Sequence, residues 1–574
     1  MTRLHVLQPK PEPKPHPGSL VKEMAYDELK GMRVVFVNMP LRETAKPNTP
    51  PEGPGLLAAR LRMYGASPTI VDLNAYRFKD EAAAGMPNGR HITLQEATHL
   101  LGAHFSKHGH PDVIAFSGMI TTLRWQENIA KICRSLAPDA FLVSGGGLAT
   151  EIRAGLFGWI PELDAVAHSE GDDTMLLCVR DVKLMKERGV KQALLSSKLS
   201  PYAMGMSPNG RPRFFYEGDR PEDLDILPFA AWDLLEEDVL GNPVLEWYIE
   251  TPVWGIAANN SSATPFTMER SLTAVSSRGC PYACAFCFRG AQGERNYGVR
   301  SAKKLAEEVR QNVDRYKIDF MGHPDDNFAV QPKRIEDLLA EYKDLNIRWG
   351  THTRLDETDK NRAENMAKAG CVYIGFGAES ASEATLTRMN KAGFILRRGL
   401  TPMRINGSEY LFPETMLRGI KDCRRVGIHS NCTWIMGYPG ETLADLKTSA
   451  AFILWQRELY TEGLMPGTPD YLTALDSVNA RMFTATAYPG TAMFKDPAAK
   501  GILTKTFGLT FGPDGEPVCD EALRQYVLEL DDATKVMHNE HGEPLYFGAM
   551  TTDQFLEARM HADNGEIEKI LEMR

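Results

Sequence analysis

The sequence predicts an α/β protein made of two successive units in which parallel strands alternate with helices, and three observations predict it. Five short apolar runs, VVFVN (34–38), PTIVDL (68–73), DVIAFSG (112–118), AFLVSGG (140–146) and DAVAHSEG (164–171), are separated by helix-like segments. Buried-type strands in that rhythm form a parallel sheet covered on both faces. A second series begins at Leu272 with LTAVSS, IDFMGH (318–323), IRWGTHT (347–353), CVYIGFG (371–377), HSNCTWIMG (429–437) and VNARMFTA (478–485). Amphipathic stretches such as SAKKLAEEVRQNVDRY (301–316) and RIEDLLAEYKDL (334–345) lie between these runs, so the second unit reads as an open or partial barrel with its chemistry at the carboxyl-end rim. Composition agrees: 43% hydrophobic and 24% charged residues suit well-packed globular domains.

A chain of 574 residues exceeds one hydrophobic core. The expected division is a loose, proline-rich tail over 1–30 (QPKPEPKPHPG), a first sheet domain over 31–185, and a connector over 186–270 containing DLDILPFAAWDLL. The partial barrel then occupies 271–494 and a C-terminal cap 495–574, whose last helix starts at a Thr551 or Thr552 cap. A net charge of −10 without a long basic run argues against a nucleic-acid partner. No apolar run reaches the roughly 20 residues of a membrane span and no signal pattern opens the chain, so a cytoplasmic protein without a membrane partner is expected.

In the first unit, ligands of an open parallel sheet bind beyond the carboxyl ends of the strands. The residues there are Asn38, Met39 and Leu41 after the first strand, Ser117, Gly118 and Met119 after the third, Gly145, Gly146 and Gly147 after the fourth, and Glu170 and Gly171 after the fifth. Glycines at these edges let backbone approach a bulky ligand, although tight turns explain any one of them.

The second unit carries the sharper signal. SSRGCPYACAFCFRG (276–290) places Cys280, Cys284 and Cys287 on the loop after its first strand, while the other six cysteines are scattered singly. Thiolates at C-x-x-x-C-x-x-C spacing wrap one side of an iron–sulfur cubane and leave one iron without a protein ligand. A closed zinc site needs a fourth Cys or His, and the nearest downstream histidine, His323, lies at another strand edge. Three unrelated core cysteines fit poorly beside Arg278, Gly279 and Pro281, which belong at an exposed turn.

The stretch resembles the signature of the radical S-adenosylmethionine (SAM) superfamily. The resemblance implies a 4Fe-4S cluster on the three cysteines, its open iron chelated by SAM, with Phe286 against the adenine. It also implies SAM contacts from Asp325 and Asp326 after the second strand, Arg354 after the third, Gly377, Glu379 and Ser380 at the end of the fourth, and Met436 at the end of the fifth. A sheet domain ahead of such a core, joined by the DLDILPFAAWDLL segment, is similar to the cobalamin-binding branch. That implies a flavodoxin/Rossmann-like cobalamin-binding domain, a partial (β/α)6 TIM-like radical SAM barrel and a small cap. The D-x-H-x-x-G fingerprint of many cobalamin domains is absent; NMPLRETAKPN stands in its place, so no histidine is marked as a lower ligand to cobalt.

The activity so implied is transfer of a methyl group from SAM through methylcobalamin to an unactivated carbon of a small molecule or peptide, in natural-product or cofactor biosynthesis. An electron donor such as flavodoxin or ferredoxin would serve it. Two alternatives remain open: a non-methylating cyclisation or ring rearrangement with the same cofactors, and a non-catalytic cobalamin and iron–sulfur sensor. Arg397, Arg398 and Arg404, in the insertion 391–413, are candidates to meet an anionic substrate group.

Overall fold

The computed structural model of the protein describes residues 17–41, 49–80, 92–195, 202–251, 268–288, 297–531 and 536–574. The first sheet contains β1 (Arg33–Asn38), β2 (Ser67–Asp72), β3 (Val113–Ser117), β4 (Phe141–Gly145), β5 (Ala165–His168), β6 (Ala203–Met206) and β7 (Pro212–Glu217). Its order is β2-β1-β3-β4-β5-β7-β6. All neighbours are parallel except the edge pair β6 and β7. Both faces are buried, as the unbroken apolar runs require: Val34 and Phe36 face one core, Val35 and Val37 the other.

The second sheet is built from β8 (Ser271–Thr273), β11 (Phe320–His323), β12 (Arg348–Thr353), β13 (Cys371–Glu379), β16 (His429–Met436) and β17 (Met482–Thr484). Its six strands lie in chain order, β17-β16-β13-β12-β11-β8, and every pair is parallel. A two-stranded ribbon, β9 (Ser277–Arg278) with β10 (Gly298–Val299), flanks the cysteine loop. A hairpin, β14 (Leu400–Ile405) with β15 (Ser408–Pro413), stands between β13 and β16. Helices cover the outer face, and the ends of several are fixed by their own side chains: Ser301 Oγ accepts from Lys304 N–H, and Thr442 with Asp445 forms a reciprocal capping box.

Three expectations change. The tail contains a helix, Pro17–Val21, that lies against the helix Asp172–Arg188. Val21 and Met24 are buried there, because two apolar side chains suffice to dock a short segment on the core; most of the proline-rich stretch lies outside the described residues. The connector is not separate from the first sheet, since β6 and β7 extend it beyond five strands. The arginine-rich insertion is the β14–β15 hairpin, turned by Asn406 and Gly407, both at positive φ, the combination that favours a tight two-residue turn.

Residues 485–531 and 536–547 pack on the far face of the first sheet: Met493, Phe494, Leu503 and Tyr526 share a core with Val35, Ile114 and Leu142. Arg524 pairs with Glu127 at 2.7 Å, and the Tyr526 hydroxyl donates to Ala487 O at 2.6 Å. The last helices, Thr552–Asp563 and Ile567–Glu572, return to the second sheet through Phe555, Ala558 and Ile570. Among the described residues no helix is long and apolar enough to cross a membrane.

Trp349 is fully buried against His323, Phe328 and Tyr342, and its indole N–H donates to Ala369 O at 2.7 Å. Trp349→Ala leaves a cavity and an unpaired carbonyl, so it is expected to cost about 3–5 kcal/mol, read as a lowered midpoint in thermal or urea unfolding.

Candidate active site

The cysteine loop is fixed at its base by a buried carboxylate. Asp325, just past β11 and 3% exposed, accepts from Ser276 N–H at 2.7 Å, Ser276 Oγ at 2.5 Å and Ser277 Oγ at 2.7 Å. Arg334 and the Arg300 N–H both donate to Ser276 O. Further along, three bonds hold the loop from two other directions: Asn390 Nδ2 to Ala283 O at 2.8 Å, Ala285 N–H to Met389 O at 2.9 Å, and Met493 N–H to Ala285 O at 2.8 Å. Backbone held this way presents its thiols without rearrangement.

Cys284 is buried, while Cys280 and Cys287 are half-exposed. Asn327 Nδ2 donates to Cys280 Sγ at 3.9 Å and Arg354 Nη1 to Cys284 Sγ at 3.5 Å. Burial raises the Cys280 thiol, and the Tyr282 N–H, the Arg354 charge and the Asn327 amide oppose that rise. Among the described residues no three His, Cys, Asp or Glu side chains are grouped around a single metal-ion position. Soft ligands with N–H donors aimed at the sulfur atoms fit a cluster whose thiolates each meet a different iron.

Around this loop the structure sorts the rim residues. Phe286 is half-buried, with Lys391 Nζ 5.8 Å from its ring centre. Lys391 Nζ also pairs with Glu379 Oε1 at 3.2 Å, and Thr433 Oγ1 donates to Glu379 Oε2 at 3.2 Å. Glu379 sits at φ +65, and a Cβ on Gly377 would come within 2.7 Å of its Oε1. Glycine is therefore required at 377 for this carboxylate to lie where it does. Ser380 is buried against Ser449 at 3.2 Å, and Asp326 is exposed.

Two expected SAM contacts stand otherwise in the structure. Asp325 is engaged by the base of the cysteine loop, since its burial demands hydrogen-bond partners and the loop supplies them. Met436 is fully buried in the core shared with the covering helices, because the β16 alternation turns it to the outer face. Arg354 reaches the cysteine loop, paired with Asp356 at 2.9 Å and set over the Tyr282 ring at 4.0 Å. Arg397, Arg398 and Arg404 are exposed on and beside the hairpin.

The first sheet holds a cavity of about 210 Å³ at the carboxyl ends of β1, β3, β4 and β5. Phe36, Ala115, Val143 and Ala167 form its floor, and the helices Glu52–Met63 and Asp172–Arg188 its walls. Five of the expected residues line it: Ser117, Gly145, Gly146, Glu170 and Gly171. Gly146 has φ +82, and a Cβ there would lie 2.7 Å from Gly118 O; only glycine fits. An apolar, glycine-rimmed cavity of this size suits an aromatic nucleotide tail, with a larger ring left outside it.

The other expected residues of the first sheet are placed differently. Asn38 Nδ2 donates to the buried Asp72 at 2.8 Å, and Met39 packs in the opposite core. Leu41 is held through its backbone by Asn74 and Thr121. A Cβ on Gly118 would collide with Thr122 Oγ1, and Gly147 packs on Met119. Met119 itself is 57% exposed above the strand ends.

Two contacts that sequence reasoning missed join the halves. Glu52, fully buried at the start of the helix Glu52–Met63, accepts from Val275 N–H at 2.5 Å and Thr273 Oγ1 at 3.1 Å, on β8 and just after it. Burial raises its carboxyl, opposed by those bonds and by the Arg300 and Arg278 charges. Arg278, at the base of the cysteine loop, pairs with Glu170 at 2.7 Å and Asp172 at 3.5 Å and lines the same cavity. No local signal marked Glu52: a Cβ on Gly53 would meet nothing within 4 Å, and one on Gly55 would meet Ala230 rather than β8.

Residues 275–453 match the model of the radical SAM superfamily. The chain is 24% identical over 397 residues to an uncharacterised methyltransferase of Pyrococcus horikoshii, covering 68% of this chain and 71% of that one. It is 26% identical over 346 residues to the anaerobic magnesium-protoporphyrin IX monomethyl ester cyclase of Rubrivivax gelatinosus, covering 59% and 53%. In fold it is similar to the radical SAM methyltransferase TsrM of Kitasatospora setae, solved with cobalamin and a [4Fe-4S] cluster, at TM-score 0.56 and 16% identity over 94% of this chain and 88% of that one. Residues 275–453 thus form a radical SAM domain. From its front sheet to its C-terminal segment, the chain shares the fold of that solved structure.

The turn after β16 supplies a pH test. Glu441 is fully buried, Oε2 accepting from Gly437 N–H at 2.6 Å while Oε1 has no hydrogen-bond partner among the described residues. Burial pushes its carboxyl up to about 8. A carboxyl raised in the folded state keeps its proton where the unfolded chain has lost it, so its contribution is full below the unfolded value near 4.5 and fades as pH climbs to about 8. Glu441→Gln is expected to flatten the fall in melting temperature between those two pH values.

Proposed function

We propose that the protein is a cobalamin-dependent radical SAM methyltransferase, moving a methyl group from SAM to an unactivated carbon of a small molecule or peptide in natural-product or cofactor biosynthesis. The observation that carries this reading is that the cysteine loop and the front-sheet cavity share a wall: Arg278 belongs to both. Cys280, Cys284 and Cys287 would hold the cluster. Phe286, Gly377, Glu379, Ser380 and Lys391 would surround SAM, with Asp326 on the rim, and Glu379 is placed to accept from hydroxyl groups once its bond to Lys391 opens. Ser117, Gly145, Gly146, Glu170 and Gly171 would receive the nucleotide tail of cobalamin, and the exposed Met119 would lie under the corrin ring.

When bound, the cluster with SAM supplies a carbon-centred radical and cobalamin supplies the methyl group. The chain's part is placement. Glu52 and Arg278 hold the two half-sites in one register, and Met493, just ahead of the cap, holds the loop from the far side. An electron carrier such as flavodoxin or ferredoxin would reach the loop where Pro281 and Phe394 are exposed, with Phe394 edge-on to Tyr282 at 5.6 Å and Arg397 and Arg398 close by in the chain. The relationship to a cyclase favours one second reading, a non-methylating ring closure with the same cofactors. Product analysis separates the two: methyl transfer releases adenosylhomocysteine in step with product, and ring closure releases little.

Anaerobic reconstitution with iron, sulfide and cobalamin is expected to load one cubane and one corrin per chain. Cys284→Ala should abolish the brown chromophore and turnover while cobalamin stays bound; a variant that keeps both overturns the assignment. Ala115→Leu fills the cavity floor, and is expected to weaken cobalamin retention at least tenfold, the equivalent of about 1.4 kcal/mol, with iron content unchanged.

A further inference from the structure

Two of the three cysteine sulfurs receive N–H donors from neighbouring strand ends, and each donor is itself locked. Asn327, fully buried, gives its amide N–H to Cys280 while its Oδ1 accepts from Thr353 Oγ1 at 2.7 Å and from Arg354 N–H at 3.4 Å. Arg354 is 6% exposed. Its Nε and Nη2 make a two-point pair with Asp356 at 2.9 and 3.1 Å, its guanidinium lies over Tyr282, and the remaining Nη1 points at Cys284 Sγ at 3.5 Å. Tyr282 is fixed in turn through its hydroxyl to Glu357 and edge-on to Phe394. A planar fork with two arms committed to a carboxylate leaves the third in one direction.

We propose that Arg354, positioned by Asp356 and Tyr282 and seconded by Asn327, sets the reduction potential of the cluster through its hydrogen bond to Cys284. This rests on the cluster assignment above. Reduction adds one electron from an external low-potential donor and no proton, so the cluster gains one negative charge. A fixed cation and N–H donors at the thiolates stabilise that reduced state and raise the potential. Asp356 balances part of the guanidinium charge, which keeps the effect within a window. Arg354 is therefore a positioning residue of the cluster rather than a contact of SAM.

The test is an anaerobic, EPR-monitored redox titration of the reconstituted full chain, with SAM affinity measured alongside. In the double variant Arg354→Met with Asp356→Asn, which leaves no buried unpaired charge, the midpoint is expected to fall by at least the equivalent of a tenfold change in the oxidised-to-reduced ratio, about 59 mV for a one-electron couple. Arg354→Lys should return part of that shift. Asp356→Asn alone, which leaves the guanidinium unbalanced, should move the midpoint the other way, and it decides the matter if the double variant does not hold iron. SAM affinity should stay within about twofold of the parent chain, since even one lost hydrogen bond to a charged group costs more than that. Unchanged midpoints in fully loaded variants overturn the inference, as does a loss of SAM affinity at constant midpoint. A parent chain that takes up no cubane overturns the proposed function itself.

Discussion

The buried carboxylate of Asp325 organises the site. It stands at the end of one strand and gathers three donors from the first turn of the cysteine loop, which leaves the neighbouring strand. A carboxylate so deeply buried is tolerable only with such donors, and the Ser276 N–H, Ser276 Oγ and Ser277 Oγ supply them. The direction in which the three thiols leave the barrel follows from this exchange. The donors to sulfur, the Lys391–Glu379 pair beside Phe286 and the Met493 contact at Ala285 are all arranged about a loop whose origin is already set.

The second constraint is the seam between the two sheets. Glu52 and Arg278 cross it in opposite senses: an anion from the front domain caps the end of β8, and a cation from the loop base meets the end of β5. Buried charges are costly when unpaired, so each side depends on the other for its partner. The cavity between them is consequently walled by both units, and any ligand reaching from the first sheet toward the cysteines is guided along this seam.

Much of this was legible in the chain, and what was not has physical reasons. The cysteine spacing is local, so its meaning survives without tertiary knowledge, and unbroken apolar runs such as Val34–Val37 declare doubly buried strands. Gly146 was readable as a close approach, and the structure shows Gly118 O as the atom approached. Met39 and Met436 were misread because a strand end has two faces and residue type alone does not choose between them. β6 was invisible because its four residues are all exposed on an edge, where no burial pattern develops. The hairpin at 400–413 has its local cause in Asn406–Gly407, a pair that favours a two-residue turn between strands. Glu52 and Lys391 acquire roles only through partners 221 or 12 residues distant, which no local window contains.

The bond from Met493 to Ala285 has an implication for biogenesis. Domains generally fold as they emerge, front first, and every strand of both sheets precedes residue 493 in the chain. The cysteine loop thus stays one anchor short until translation has passed the last strand.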